Sequence, residues 1–224
     1  MRTIRLDDFP DGNPGYDIKR NRADVAAALA IFEEFHVPYI LGVTPLLLES
    51  SDIEFLNENV KTGKAVMHGF SHLLDFKPWE KIVETWPKGG EFVGMSYEAI
   101  RAQHGHCHTI LAGVHRYDRS IFIPPFNCMT QEAFRALSDC GVREVHTCDK
   151  EWDAYGYVQM NHYGIVPIVS KFQVTYDYAH KVIDHLDDPS QITLHWIFDR
   201  GHPDWLGHYR RLCERLTTQK GAAP

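Results

Sequence analysis

A chain of 224 residues and 25.8 kDa has the length of one domain of ordinary to large size. Hydrophobic residues make up 44% and charged residues 24%, the balance of a globular protein with a substantial core. The formal charge is −7, from 23 basic and 30 acidic side chains. With no basic run, this argues against a nucleic-acid partner, whose phosphates need a concentrated cationic face. Five cysteines without a CxxC pair indicate reduced thiols rather than a disulfide framework. No apolar run is long enough to span a membrane. Met1 to Leu6 enters a strand and reaches acids at once, so a cytoplasmic protein is expected, although a chain whose export signal had been removed would read the same way.

In chain order, strand and helix signals alternate. Thr3–Leu6 is a short strand that runs into the turn-rich Asp7-Asp8-Phe9-Pro10-Asp11-Gly12. Arg22–Phe35 is a helix, with Val25, Ala28, Leu29 and Phe32 spaced three and four apart. Pro38–Val43 is a strand, Ser51 caps a helix from Asp52 to Lys61, and Lys64–Met67 is a strand leading into His68. Leu73 to Met95 has no clean period and reads as a long loop carrying Trp79 and Trp86. A helix capped by Ser96 follows to about Leu111, then a strand (Ser120–Ile123), a helix (Thr130–Cys140) and a strand (Val142–Thr147). The last elements are a strand at Gly164–Val169, a helix at Thr175–Leu186, a strand at Gln191–Phe198 and a helix over Pro203–Leu216. Residues 217–224 read as a flexible tail behind a single domain spanning 1–216. Strands interleaved with helices predict an α/β fold with a largely parallel sheet, closed into a complete or incomplete barrel. Such barrels carry their sites at the carboxyl ends of the strands, which is where the polar clusters fall.

Asp7-Asp8 ends an apolar strand, where two buried like charges oppose each other unless a cation relieves them. A solvated surface turn is the plainer alternative. His68 and His72 are four apart and face one way if the stretch takes a helical turn, which lets two imidazoles hold one ion. Two histidines, one carboxylate and open positions for water suit a catalytic zinc or iron site. Among 14 histidines, a chance pair at this spacing is not rare. His195 lies near the end of the apolar run Ile192–Ile197, either as an acid–base group backed by Trp196 or as a core histidine with satisfied nitrogens. His104, His106 and His108 with Cys107 read as a solvated helix surface on which only His104 and His108 share a face.

The order Asp7-Asp8, His68-x-x-x-His72, a proline-containing strand end at 124–127, and Leu194-His195 resembles the polysaccharide deacetylases. These are the NodB-homology, carbohydrate esterase family 4 enzymes, and the resemblance runs from Arg5 to His195. It implies a distorted seven-stranded (β/α) barrel and a metal-dependent hydrolase that removes an N-acyl group, acetyl first of all, from an amino sugar. By resemblance, Asp7 is the general base, Asp8, His68 and His72 hold a divalent metal with zinc the leading choice, and His195 is the general acid. The backbone N–H of Phe126 then serves as oxyanion donor, Asp149 orients His195, and Trp196 and Asn127 contact the sugar. Asp149 reads equally as a turn aspartate, and each tryptophan as core.

Ile123 stands where the family has an arginine that steadies the catalytic aspartate. Arg5, two residues before Asp7, shares a side with it in an extended strand and is the candidate substitute, or else a solvated strand end. A side-chain contact between the two is expected. A cytoplasmic relative is expected to act on a sugar nucleotide or lipid-linked saccharide in surface-polysaccharide synthesis, such as that of O-antigen. Two rival functions stay open: an inactive metal-containing carbohydrate-binding module, and a hydrolase of a non-sugar amide or ester.

Overall fold

The computed structural model describes residues 2–10, 22–72, 90–125, 129–146, 161–164 and 190–218. Seven parallel strands form one sheet in the order β5-β4-β3-β2-β1-β7-β6. They are β1 (Arg2–Phe9), β2 (Tyr39–Val43), β3 (Lys64–His68), β4 (Tyr117–Ile123), β5 (Glu144–Val145), β6 (Asn161–Gly164) and β7 (Ser190–Leu194). The helices are α1 (Arg22–Glu34), α2 (Ser50–Asn59), α3 (Tyr97–Leu111), α4 (Gln131–Asp139), the short α5 (Trp196–Asp199) and α6 (Trp205–Thr218). The expected distorted seven-stranded (β/α) barrel is the observed architecture, and no pairing joins β5 to β6 among the described residues.

Strand alternation sorts the side chains into two layers. On β1, Ile4 and Leu6 join the main core beneath the helices, while Arg5 and Asp7 point the other way. Ile40, Val66, Ile121 and Ile123 form a second, smaller apolar cluster on that inner side. Arg5 stands level with Ile40 on β2 and with Thr193 on β7, so β1 carries its charged pair through the middle of the sheet. The interior of the barrel is therefore apolar towards β4 and polar towards β7, where Gln191 and Thr193 are buried.

Most elements sit within a few residues of their sequence-derived bounds, and the differences have local causes. The helix α2 begins at Ser50 rather than after Ser51, because Asp52 accepts a hydrogen bond from the Glu49 N–H at 2.8 Å and sets the cap at Glu49, two residues earlier. Ser96 caps α3 as expected, accepting from the Ala99 N–H, and Thr130, expected as the first residue of its helix, caps α4 by accepting from the Ala133 N–H. The strand expected to continue to Phe198 ends at Leu194, and the chain turns at once into α5. Asn161–Gly164 form a strand that reaches the start of the one expected over Gly164–Val169, the rest of which lies outside the described residues. On α3, the expected solvated surface is corrected: His104 and Cys107 are buried, and burial pushes the His104 pKa down to about 4. The described cysteines Cys107, Cys140 and Cys213 are free thiols. Among the described residues no helix is long and apolar enough to cross a membrane.

Candidate metal and catalytic site

The site forms where β1, β3 and β7 end, the side on which parallel α/β sheets carry their chemistry. Asp8 leaves β1 with a φ of 70°, and His72 has a φ of 54°. Left-handed backbone at a non-glycine residue carries about 1–3 kcal/mol of strain, which the surrounding structure must hold. It swings the Asp8 carboxylate towards β3, so that Asp8 Oδ1 lies 3.2 Å from His68 Nε2 and 3.1 Å from His72 Nε2. The two imidazoles converge, with ring centroids 4.7 Å apart, through this loop geometry and not through the helical turn expected from their spacing.

These three residues are the group of candidate metal ligands among the described residues, and all are buried. The donor set fits an ion on two counts. His68 Nδ1 is 3.2 Å from the Ile123 carbonyl, an acceptor only, so Nδ1 donates there, and in the neutral ring Nε2 presents a lone pair to Asp8. Two acceptors at such a distance attract only with a proton or cation between them. The spacings of 3.1 and 3.2 Å also match a coordination polyhedron: a tetrahedron with bonds of about 2.0–2.1 Å has edges of roughly 3.3–3.4 Å. Burial opposes the charged forms of Asp8 and His72, yet each favours the other: the Asp8 pKa is held well below the carboxylate range, and that of His72 is raised.

Asp7 is fully buried beside this triad and carries the contact expected with Arg5. The guanidinium donates from Nε to both carboxylate oxygens at 2.8 Å and from Nη2 to Oδ2 at 2.5 Å. Burial alone would raise the Asp7 pKa, but Arg5, with His68 and His195, outweighs it and sets the pKa at about 2. Arg5 also spans the barrel, because its Nη1 donates to the His146 carbonyl at 3.0 Å. The Gln191 amide bonds His146 Nδ1 at 3.0 Å, and His146 Nε2 faces Glu144 at 3.3 Å. His195 Nε2 lies 3.8 Å from Asp7 Oδ2 and 3.9 Å from Asp8 Oδ2, over both carboxylates. Burial lowers the His195 pKa, with the two aspartates opposing and Arg5 adding to the effect.

Three residues that sequence reading passes over complete the frame. Glu91 accepts from the Phe70 N–H at 2.9 Å, the Ser71 N–H at 2.6 Å and the Ser71 hydroxyl at 2.7 Å, and so pins the loop between the two histidines. Gly69 has a φ of 63°, and a Cβ there would meet Pro125 Cγ at 2.2 Å and Glu91 Oε2 at 2.4 Å. Gly42 on β2 faces the site, where a Cβ would stand 2.7 Å from Asp7 Oδ1. The last of these leaves a trace in sequence, since a glycine inside a strand often marks a close approach.

Trp196 is corrected. Its side chain is fully buried in the main core, with the Arg200 guanidinium 5.4 Å over its ring, because the turn into α5 carries it away from the site. It offers no face for a sugar to stack on, so the substrate-contact role is not carried forward. Phe126, Asn127, Asp149, Trp79 and Trp86 lie outside the described residues.

No protein-family model matches the chain, and no curated protein matches its sequence. Solved structures do match in fold. A family 4 carbohydrate esterase from Streptomyces lividans, solved in complex with acetate, is 10% identical, with a TM-score of 0.62 over 96% of this chain and 87% of that one. A family 4 acetyl xylan esterase from Clostridium thermocellum, in complex with a cobalt ion, is 14% identical, with a TM-score of 0.63 over 98% and 84%. A CE4 family pseudoenzyme from Bacillus anthracis is 12% identical, with a TM-score of 0.58 over 98% of this chain and 61% of that one. The fold of this chain is that of the family 4 carbohydrate esterases and polysaccharide deacetylases.

Proposed function

We propose that the protein is a divalent-metal-dependent hydrolase that removes an N-acyl group, acetyl first, from an amino sugar held in a glycan, lipid-linked saccharide or sugar nucleotide. The observation that carries this reading is the buried Asp7, paired with Arg5 and set between the Asp8–His68–His72 triad and His195 Nε2. A zinc-like ion held by Asp8, His68 and His72 would polarise the acyl oxygen and lower the pKa of water towards roughly 7. Asp7, ionised far below neutral pH, is ready to accept a proton from the attacking water. Its rotamer is set by the Arg5 guanidinium, the role that falls to another strand in the family arrangement.

Burial lowers the His195 pKa, and the two aspartates beneath the ring oppose that shift. His195 delivers the proton to the departing amine, and the proton that Asp7 takes from water restores the balance, Asp7 Oδ2 lying 3.8 Å from His195 Nε2 before substrate binds. The C–N bond breaks as the amine takes that proton, because an unprotonated amine is a very poor leaving group. Within this proposal the Phe126 N–H steadies the oxyanion and Asp149 orients His195. Loss of one oxyanion donor typically lowers kcat by roughly a hundred- to thousandfold.

The test is acetate release by zinc-loaded protein from N-acetylated amino-sugar oligomers and from simple N-acyl amines, with Asp7→Asn beside the wild type. Turnover by the wild type and its loss in the variant, at equal metal content, supports the reading. Glycan binding by the wild type without turnover on any substrate would instead support an inactive module, a class present among the structural neighbours. Turnover of the simple amines alone would move the substrate class away from sugars.

A further inference from the structure

The ring of His195 is not fixed by the carboxylates below it, because 3.8 and 3.9 Å are too long for hydrogen bonds. Its aim depends also on the backbone that carries it, and that backbone is one residue long: β7 ends at Leu194 and α5 starts at Trp196. Both main-chain polar groups of His195 are taken by Asp199. The His195 carbonyl accepts from the Asp199 N–H at 3.0 Å, and the His195 N–H donates to the Asp199 carboxylate. The Tyr209 hydroxyl donates to the same carboxylate from α6. Tyr209 is itself immobilised, stacked on Phe32 of α1 at 5.8 Å and edge-on to Trp205 at 5.2 Å.

We infer that Asp199 and Tyr209 are positioning residues for His195, fixing the turn from which its imidazole is aimed at the reacting amine. The inference rests on the proposed function only for the word amine; the geometry stands without it. His195 occupies the position before α5 where a Ser, Thr, Asp or Asn side chain ordinarily caps the helix. Asp199 closes that turn from behind instead, its carboxylate accepting from the His195 N–H while its own N–H serves the His195 carbonyl. Asp199 is an unusual choice for packing alone, since it is buried and burial pushes its pKa up to about 7. Placement accurate to well under an ångström is what a proton donor needs, and a misplacement of about 1 Å lowers rates by about a hundredfold.

The test uses the full chain loaded with zinc, as wild type, Asp199→Ala, Asp199→Asn and Tyr209→Phe. Asparagine keeps an oxygen for the His195 N–H and turns its amide to the Tyr209 oxygen, so it serves as the conservative rescue. The first readout is the imidazole signals of His195 by nitrogen-15 NMR, assigned with His195→Ala, beside those of His68 and His72. Asp199→Ala and Tyr209→Phe should shift or broaden the His195 signals alone, with zinc content equal to wild type. The Asp199→Asn spectrum should overlay that of the wild type. In turnover, the first two variants should lose roughly ten- to hundredfold in kcat with KM within about twofold, while Asp199→Asn stays within about threefold of wild type. Unchanged His195 signals in Asp199→Ala overturn the inference, as does loss of zinc together with KM. If Asp199→Ala does not fold, Tyr209→Phe decides by the same signals. Absence of turnover in the wild type would count against the proposed reaction and leave the NMR comparison to decide this point by itself.

Discussion

Replacing Gly42 with alanine tests the site through one methyl group placed on a residue that takes no part in the chemistry. The new carbon would stand 2.7 Å from Asp7 Oδ1, 3.2 Å from His68 Cβ and 3.3 Å from His68 Cγ. A relaxed carbon–oxygen contact is about 3.3–3.6 Å, so the first of these is short by more than about half an ångström. Neither neighbour yields freely, because Arg5 holds both Asp7 oxygens and the Ile123 carbonyl holds the His68 ring. Overpacking of this kind typically destabilises by about 1–3 kcal/mol. The strain is relieved by moving Asp7 and His68, and moving His68 spoils the ligand set. If it falls on the ion, the zinc dissociation constant rises by roughly five- to 150-fold, since 1.4 kcal/mol is about a factor of ten. The assay is zinc titration against a competing chelator, with thermal unfolding measured with and without zinc. Gly105→Ala on α3 is the control, because its Cβ meets nothing within 4 Å; it should leave zinc binding untouched and stabilise by about 0.4–1 kcal/mol. Wild-type zinc affinity and melting temperature in Gly42→Ala would refute the reasoning.

The remaining predictions follow from the same geometry. His68→Ala and His72→Ala should each lose most of about one bound divalent ion per chain, read by metal analysis, with the fold kept because the sheet does not depend on these ends. Arg5→Met leaves a buried carboxylate without its cation, so stability should fall by about 3–5 kcal/mol in denaturant titration, with loss mainly in kcat and the metal retained. Asp199 predicts a pH dependence with a definite sign. Its carboxyl goes from 3.8 in the unfolded chain to about 7 in the fold, so the stability it contributes is complete below about 3.8 and is lost as pH rises to about 7. The full span is about 4 kcal/mol, of which about 2 kcal/mol falls between pH 5 and 7. The stability of Asp199→Asn should lack this slope, and parallel curves for the two proteins would count against it.

Much of this site was legible because its chemistry is carried by motifs in a fixed order along alternating strands. Asp7-Asp8, the histidine pair and His195 each end a strand, and parallel strands place such ends together. The Arg5–Asp7 contact followed from the two-residue repeat of an extended chain, which is a local rule. What sequence reading missed is what non-local packing decides. Glu91 reaches the His68–His72 loop from about 20 residues away in a region with no periodic pattern, so nothing near it announces the contact. The convergence of His68 and His72 was read as helical, whereas Gly69 and His72 reach it with left-handed backbone. Trp196 was placed by extending β7 four residues too far, to Phe198, and every side chain after such an error points the wrong way. The polar run Gln191, Thr193 and His195 on alternate positions did carry a usable signal, since three polar residues on one face of an apolar strand mark a polar interior.

The arginine that the sequence resemblance expects at Ile123 bears on whether this arrangement turns over. Ile123 is buried, belongs to the inner apolar cluster with Ile40, Val66 and Ile121, and gives only its carbonyl to the site. An arginine side chain at that position would have to displace this packing and leave a charge among aliphatic groups. A guanidinium issued from β1 avoids both difficulties, because Arg5 lies on the polar side of the interior, where Asp7 and the His146 carbonyl satisfy its donors. The pair also fixes itself: two residues apart on one strand, they keep their register whatever the neighbouring strands do. Ile123 therefore does not leave Asp7 without its cation. A reading of inactivity has to rest on some other feature than the charge beside the base, and the Arg5→Met and Asp7→Asn variants at constant metal content are where the two readings part.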